Sequence, residues 1–254
     1  MKKSLAVLWL FVLVFPARLW SQGTEVAPRH IIDFPTAGLL PRGGFDLQMR
    51  FSGDSGVIFG LNAGISEHFM FGVSYGGTNI LGEKTANWNP APGVLVKYQL
   101  WGESIGFPSV TIGFESQGYG AYVDSLKRFT NKSPGFYAVA SKGYDLLEHL
   151  DFHGGINYSL ENDDGDNDPN LFLGMTLAFN RDIEFLSEYD VAFNDSPEAD
   201  RTIGDGNGYL NLGLRLTIEE VVYLELLLKN LFKNRTSAED YNREFKITYF
   251  QFIL

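Results

Sequence analysis

The chain has 254 residues, no cysteine, a formal net charge of −11, and 20% charged against 44% hydrophobic residues. The length suits one barrel- or sandwich-type domain, and the composition excludes a disordered chain or a coiled coil. The missing cysteine rules out disulfides, thiolate metal sites, cysteine nucleophiles and a lipidated cysteine. With no basic patch, nucleic acid is not an expected partner.

The first residues read as an export signal. Lys2 and Lys3 precede an apolar run from Leu5 to Phe15, which is broken at Pro16, and Ser21 is a plausible residue before cleavage. A retained membrane anchor is the alternative. The run falls well short of the roughly 20 residues a helix needs to span a bilayer. Residues 1–21 are therefore expected to be a signal peptide. Residues 22–42, with Pro28, Pro35 and Pro41, read as an irregular lead, and 43–254 as the folded domain.

From Gly43 onward the pattern has period two. Phe45, Leu47, Met49 and Phe51 alternate with Asp46, Gln48, Arg50 and Ser52. Val57, Phe59, Leu61, Ala63 and Ile65 oppose Gly60, Asn62 and Gly64, and the alternation continues through 69–76, 93–100 and 110–115. A weaker strand falls at 135–142. Further strands follow at 152–160, 171–180, 184–191, 210–216 and 222–229, and the last runs from Glu244 to Leu254. Connections near 66–68, 102–108, 144–150, 181–182 and 218–220 are short. Those near 78–91, 119–134, 161–170, 194–206 and 231–243 are long. This asymmetry predicts an all-β fold, an antiparallel transmembrane β-barrel of about twelve strands in a bacterial outer membrane.

A soluble β-sandwich also alternates, with its apolar face inward. Three features favour lipid. The strands approach the roughly 9–11 residues that cross a bilayer at a tilt. The second face is rich in glycine and carries both charge signs, as a narrow polar lumen would; glycine weakens strands and is uncommon on a solvent face. Phe250, Phe252 and Leu254 occupy alternate positions at the end, similar to the C-terminal assembly signal of bacterial barrels, with leucine in place of the usual terminal aromatic. This assignment leaves Phe245, Ile247 and Tyr249 on the supposed inner face. Phe252→Asp is accordingly expected to block assembly.

The expected lumen charges are Asp46, Arg50, Lys97, Glu115, Glu184, Glu188, Asp190, Arg215, Glu225 and Lys229. Such charges need partners or water, so a salt-bridged lumen is expected in preference to a solute channel. At least one of Glu184 and Glu188 is expected to pair across the lumen with a base from another strand. Mixed signs argue against an anion-selective pore. Asp164, Asp166 and Asp168 begin like a calcium loop, but Pro169 and Met175 stand where a turn glycine and a bidentate glutamate belong. A solvated acidic loop is expected there, with weak cation binding as the alternative. His153, near Asn157 and Ser159, is the sole basis for a lipid-modifying enzyme, and strand neighbours two apart do not form a triad alone. Gly204 to Gly208 reads as a flexible outer loop, and no pattern calls for a cofactor.

Several segments resemble YjbH-like outer-membrane proteins: PTAGLLPRGGFDL at 35–47, VKYQLWGESIGFPSVTIGFES at 96–116, GYGAY at 118–122, FYAVASKGY at 136–144 and FLSEYD at 185–190. The resemblance touches about the central half of the mature chain. It implies an outer-membrane part in exopolysaccharide production and export, without catalytic residues to transfer. The leading expectation is a non-enzymatic barrel serving transport or an accessory role in that secretion. The expected partners are outer-membrane lipid, the barrel assembly machinery and polysaccharide secretion components. A structural or adhesive barrel with a closed lumen is the second reading, favoured if side chains or residues 23–42 block the lumen. A lipid-modifying enzyme is the third, favoured if a serine hydroxyl reaches His153.

Overall fold

The computed structural model describes residues 27–83, 85–196, 203–235 and 242–252. The expected signal peptide (1–21) and Leu254 lie outside them.

The strands are β1 (Gly44–Phe51), β2 (Val57–Ser66), β3 (Phe69–Thr78), β4 (Asn87–Trp88), β5 (Gly93–Trp101), β6 (Ser109–Glu115), β7 (Tyr119–Val123), β8 (Arg128–Asn131), β9 (Gly135–Tyr144), β10 (His149–Tyr158), β11 (Asn170–Asn180), β12 (Ile183–Asp190), β13 (Tyr209–Ile218), β14 (Val222–Lys229) and β15 (Asn242–Phe252). Neighbours pair antiparallel around a continuous sheet. Pairing of β2 with β3, and of β1 with β15 from Gly44↔Phe252 to Phe51↔Phe245, closes it. β4 is a two-residue appendage on β3, which leaves a closed ring of twelve strands. Closure satisfies every strand edge within the ring, the condition for placing a sheet in hydrocarbon.

The ring's outer face is apolar: Phe59, Leu173 and Leu226 are 52%, 58% and 56% exposed. Exposed apolar side chains on nearly every strand would be an aggregation hazard in water and are matched in lipid. Short turns after β2, β5, β9, β11 and β13 mark the periplasmic end, and the long connections mark the outer end. β7 and β8, within the connection read as a long loop at 119–134, pair as a separate hairpin.

The last strand corrects the sequence reading. In β15, Glu244, Lys246, Thr248 and Phe250 are buried inward, whereas Phe245, Ile247 and Tyr249 alternate with them on the outer side. Phe250 is buried against Leu40, Met70 and Leu95, with Phe252 packed against that cluster. The alternation of Phe250 and Phe252 at the end of the strand predicts a lipid face for them, because lipid-facing residues usually end such strands. Their partner is instead the lead, which brings apolar side chains inside the barrel.

The lead is the core. Each of the three buried apolar clusters joins it to the wall: Leu40 with Met70, Leu95 and Phe250; Phe34 and Ala37 with Tyr137, Val139 and Phe172; Ile31 and Ile32 with Leu186 and Leu227. Burying side chains of this size stabilises by roughly 1.5–3 kcal/mol each. Two wall glycines make room. A Cβ on Gly64 would stand 2.1 Å from the Pro41 carbonyl oxygen, and one on Gly174 2.3 Å from Ile31 Cδ1.

Candidate functional site

Residues 27–41 enter the lumen from the periplasmic end, turn tightly and return to β1. The turn is held by hydrogen bonds from Ile31 N to Phe34 O (2.9 Å) and from Thr36 N to Arg29 O (3.0 Å). A hairpin inside a barrel has backbone groups that no sheet satisfies, so the wall must supply partners. Glu188 on β12 does most of this: one carboxylate oxygen accepts the backbone N–H groups of Ile32, Asp33 and Phe34 at 3.0, 2.9 and 2.9 Å, while Asn211 donates to the other at 2.9 Å. Lys97 donates to the carbonyls of Arg29 (2.9 Å) and Gly38 (2.8 Å), and the Thr111 hydroxyl donates to Ala37 O (2.8 Å).

Charged groups of the lead meet charged groups of the wall. Arg29 pairs with Asp46 at 2.7 Å. Asp33 lies between Arg50 (2.6 Å) and Lys229 (2.7 Å), and these bases share Glu244 at 2.5 and 3.3 Å. His30 Nε2 lies 2.9 Å from Glu115. Burial alone would raise the Asp33 carboxyl, but Lys229 and Arg50 outweigh it and hold the group down at about 2. Buried charges with several partners of this kind resist removal of any one member.

Eight of the ten expected lumen charges are buried, and Glu184 and Asp190 are half-buried. Their pairing differs from the expectation in one respect. Glu184 does meet a base of another strand, Arg215 at 2.7 Å, but β12 and β13 are adjacent, so the contact runs along the wall. Arg215, Glu225 and Lys246 continue the row, with both contacts at 2.7 Å. Asp190 accepts from Asn170 (2.7 Å) and from the backbone of Ala192 (2.9 Å). The groups that do cross the lumen belong to the lead. Arg29, His30 and Asp33 escaped sequence reading because the lead has no periodicity. Glu244 and Lys246 were legible as strict alternates of Phe245 and Ile247, and were missed because the end of β15 was assigned first.

At the outer end the β7–β8 hairpin folds over the mouth. The Tyr119 ring lies under Arg50 and Lys229, 4.0 and 4.9 Å from its centroid. Arg128 is fully buried and donates to Asp164 (2.5 Å) and Asp195 (2.7 Å). This corrects the solvated-loop reading at Asp164 and Asp166, which are buried, while Asp168 is exposed as expected. Asp164 also takes Lys132 at 2.8 Å, Asp166 accepts the Ser196 N–H at 2.8 Å, and among the described residues no acidic group converges on a cation position. Asp164 and Asp195 neutralise Arg128, and Asp164 also neutralises Lys132.

Ser141 Oγ reaches His153 Nδ1 at 2.8 Å, the contact that would favour an enzyme. Thr176 lies 3.4 Å from both His153 Nε2 and Asp151. The same Ser141 hydroxyl accepts the Ala37 N–H at 2.9 Å, so the lead covers it on the lumen side, away from the lipid a membrane hydrolase would attack. The network ties β9, β10 and β11 to the lead.

Beneath the plug, a cavity of about 530 Å³ lies at the periplasmic end, between Ala27 to His30 and the turn residues Glu103, Glu148 and Glu220.

No family model matches the sequence, nor does any curated protein sequence. The fold is similar to the solved KdgM porin, with a TM-score of 0.51 and 10% identity over 81% of this chain and 98% of that one. The same porin in complex with disordered oligogalacturonate gives 0.51 and 9% over the same shares. The NanC porin covers 83% of this chain and 100% of its own at 11% identity, with a TM-score of 0.43. The chain is an outer-membrane β-barrel. It shares the porin-like twelve-strand architecture, and its own lumen is filled by residues 27–41.

Proposed function

We propose that this barrel is non-enzymatic and serves exopolysaccharide secretion as an accessory component, not as the conduit. One observation carries the reading: the lead occupies the lumen, gripped by Glu188 through three backbone amides and locked by the Asp33–Arg50–Lys229 pairs. The lead stands in the path a polymer chain would take through the barrel. The secretion context is supported by the resemblance of residues 35–47, 96–116 and 185–190 to YjbH-like proteins. The partners that follow are the assembly machinery that inserts barrels and periplasmic or outer-membrane secretion components.

Conductance of the purified full chain in planar bilayers tests the closed lumen. Only brief or no current steps are expected, and steady open-channel steps would overturn it. Polymer output tests the context: a deletion strain should release less exopolysaccharide, and the restored gene should recover it. The lumen filled by the lead, together with the ordered cap around Arg128, also suits a structural or adhesive barrel, and that second reading replaces the first if polymer output is unchanged.

A further inference from the structure

We propose that the periplasmic cavity beneath the plug binds a short, uncharged oligosaccharide. The inference rests on the secretion reading and names the ligand class of this site. The cavity, at about 530 Å³, lies within the roughly 300–1,000 Å³ of small-molecule sites.

Its lining decides the chemistry. Gln48, Thr248, Tyr223 and Thr217 face one another in register across β1, β15, β14 and β13, forming a continuous row along one wall. The Gln48 amide and the Thr217 and Thr248 hydroxyls have no protein hydrogen-bond partner among the described residues, so donors and acceptors stand side by side with an aromatic ring. Sugar hydroxyls need this: groups that both donate and accept, plus one flat apolar surface.

The charges around the row are already used. Arg215 is taken by Glu184 and Glu225, Lys246 by Glu225, Arg29 by Asp46, and His149 lies 2.9 Å from Asp151. The remaining bases of the lining, His30 and Arg181, lie 2.9 Å from Glu115 and 3.6 Å from Glu148. Glu220 at the mouth has no ion-pair partner among the described residues. An acidic sugar would find no unpaired cation and would meet that carboxylate; a neutral one avoids both penalties.

Saturation-transfer NMR on the detergent-solubilised full chain, with maltotriose as the neutral probe and trigalacturonate as the acidic one, tests this. Maltotriose should bind in the millimolar range and trigalacturonate at least about tenfold more weakly. Thr217→Trp, which fills the cavity, should abolish the maltotriose signal. Thr248→Val, which removes one hydroxyl at nearly constant volume, should weaken it while heat-modifiable migration stays normal. No maltotriose binding, equal binding of the acidic probe, or binding indifferent to both variants would overturn the inference. If polymer output falls on gene deletion but maltotriose does not bind, the cavity assignment fails and the secretion reading stands. Maltotriose binding with undiminished output supports the cavity assignment and defeats the secretion reading.

Discussion

At the scale of single residues, Asp33 and Glu188 hold the plug. Asp33→Ala leaves Arg50 and Lys229 sharing Glu244 alone, and breaking a buried pair costs roughly 3–5 kcal/mol. Limited proteolysis should then cut the lead of the mutant under conditions that leave the wild type intact. The pH dependence follows from the depressed Asp33 carboxyl. Its folded value, about 2, lies below the ordinary 3.8, so its contribution is complete above about pH 4 and is lost as pH falls through about 2. The protease resistance that Asp33 confers should therefore be flat from neutral pH to about 4 and decline below it. Glu188→Leu removes the acceptor of three amides at a fully buried position. Hydrogen exchange at Ile32, Asp33 and Phe34 should quicken by orders of magnitude, and the conservative Glu188→Gln should recover part of the protection.

At the scale of elements, β15 and the β7–β8 hairpin each allow a clear test. Because Ile247 faces outward and Phe252 packs on the plug's base, the two positions should respond oppositely to charge. Ile247→Arg puts a cation against lipid at a cost of roughly 2–4 kcal/mol near mid-membrane and should block heat-modifiable assembly. Phe252→Asp, expected from the sequence to block assembly, should assemble with a loosened lead. Equal assembly defects in both would contradict the facing of β15. In the hairpin, Arg128→Ala leaves Asp164 and Asp195 facing each other without their shared guanidinium, although Asp164 keeps Lys132. Protease should cut the outer loops faster while the barrel and its plug remain, because the hairpin sheet is separate from the ring.

At the scale of the whole molecule, the wall and the plug form one unit. Leu186, Leu227, Phe172 and Met70 point into the lumen, where an open aqueous channel would wet them. Their burial by Ile31, Ile32, Phe34 and Leu40 makes closure part of folding, since the contacts that seat the plug also complete the three buried apolar clusters of the described residues. Full-chain protein in bilayers should accordingly stay closed across a range of voltages at neutral pH, whereas paired loss of Asp33 and Glu188 should admit current.

The sequence by itself determined the strand alternation, the strand count, the asymmetry of the connections and the identity of most lumen charges. Each is a local property: period two sorts residues between two faces, and strand length is matched to the bilayer. Only the tertiary structure decided what those charges meet. The lead carries no periodicity to read, and Asp33 is tied to Arg50 and Lys229 by chain closure, not by spacing. The facing of Phe250 was likewise a tertiary matter. Alternation shows that Phe250 and Ile247 lie on opposite faces, but not which of them faces lipid, and with apolar residues on both, that depended on Leu40 being inside.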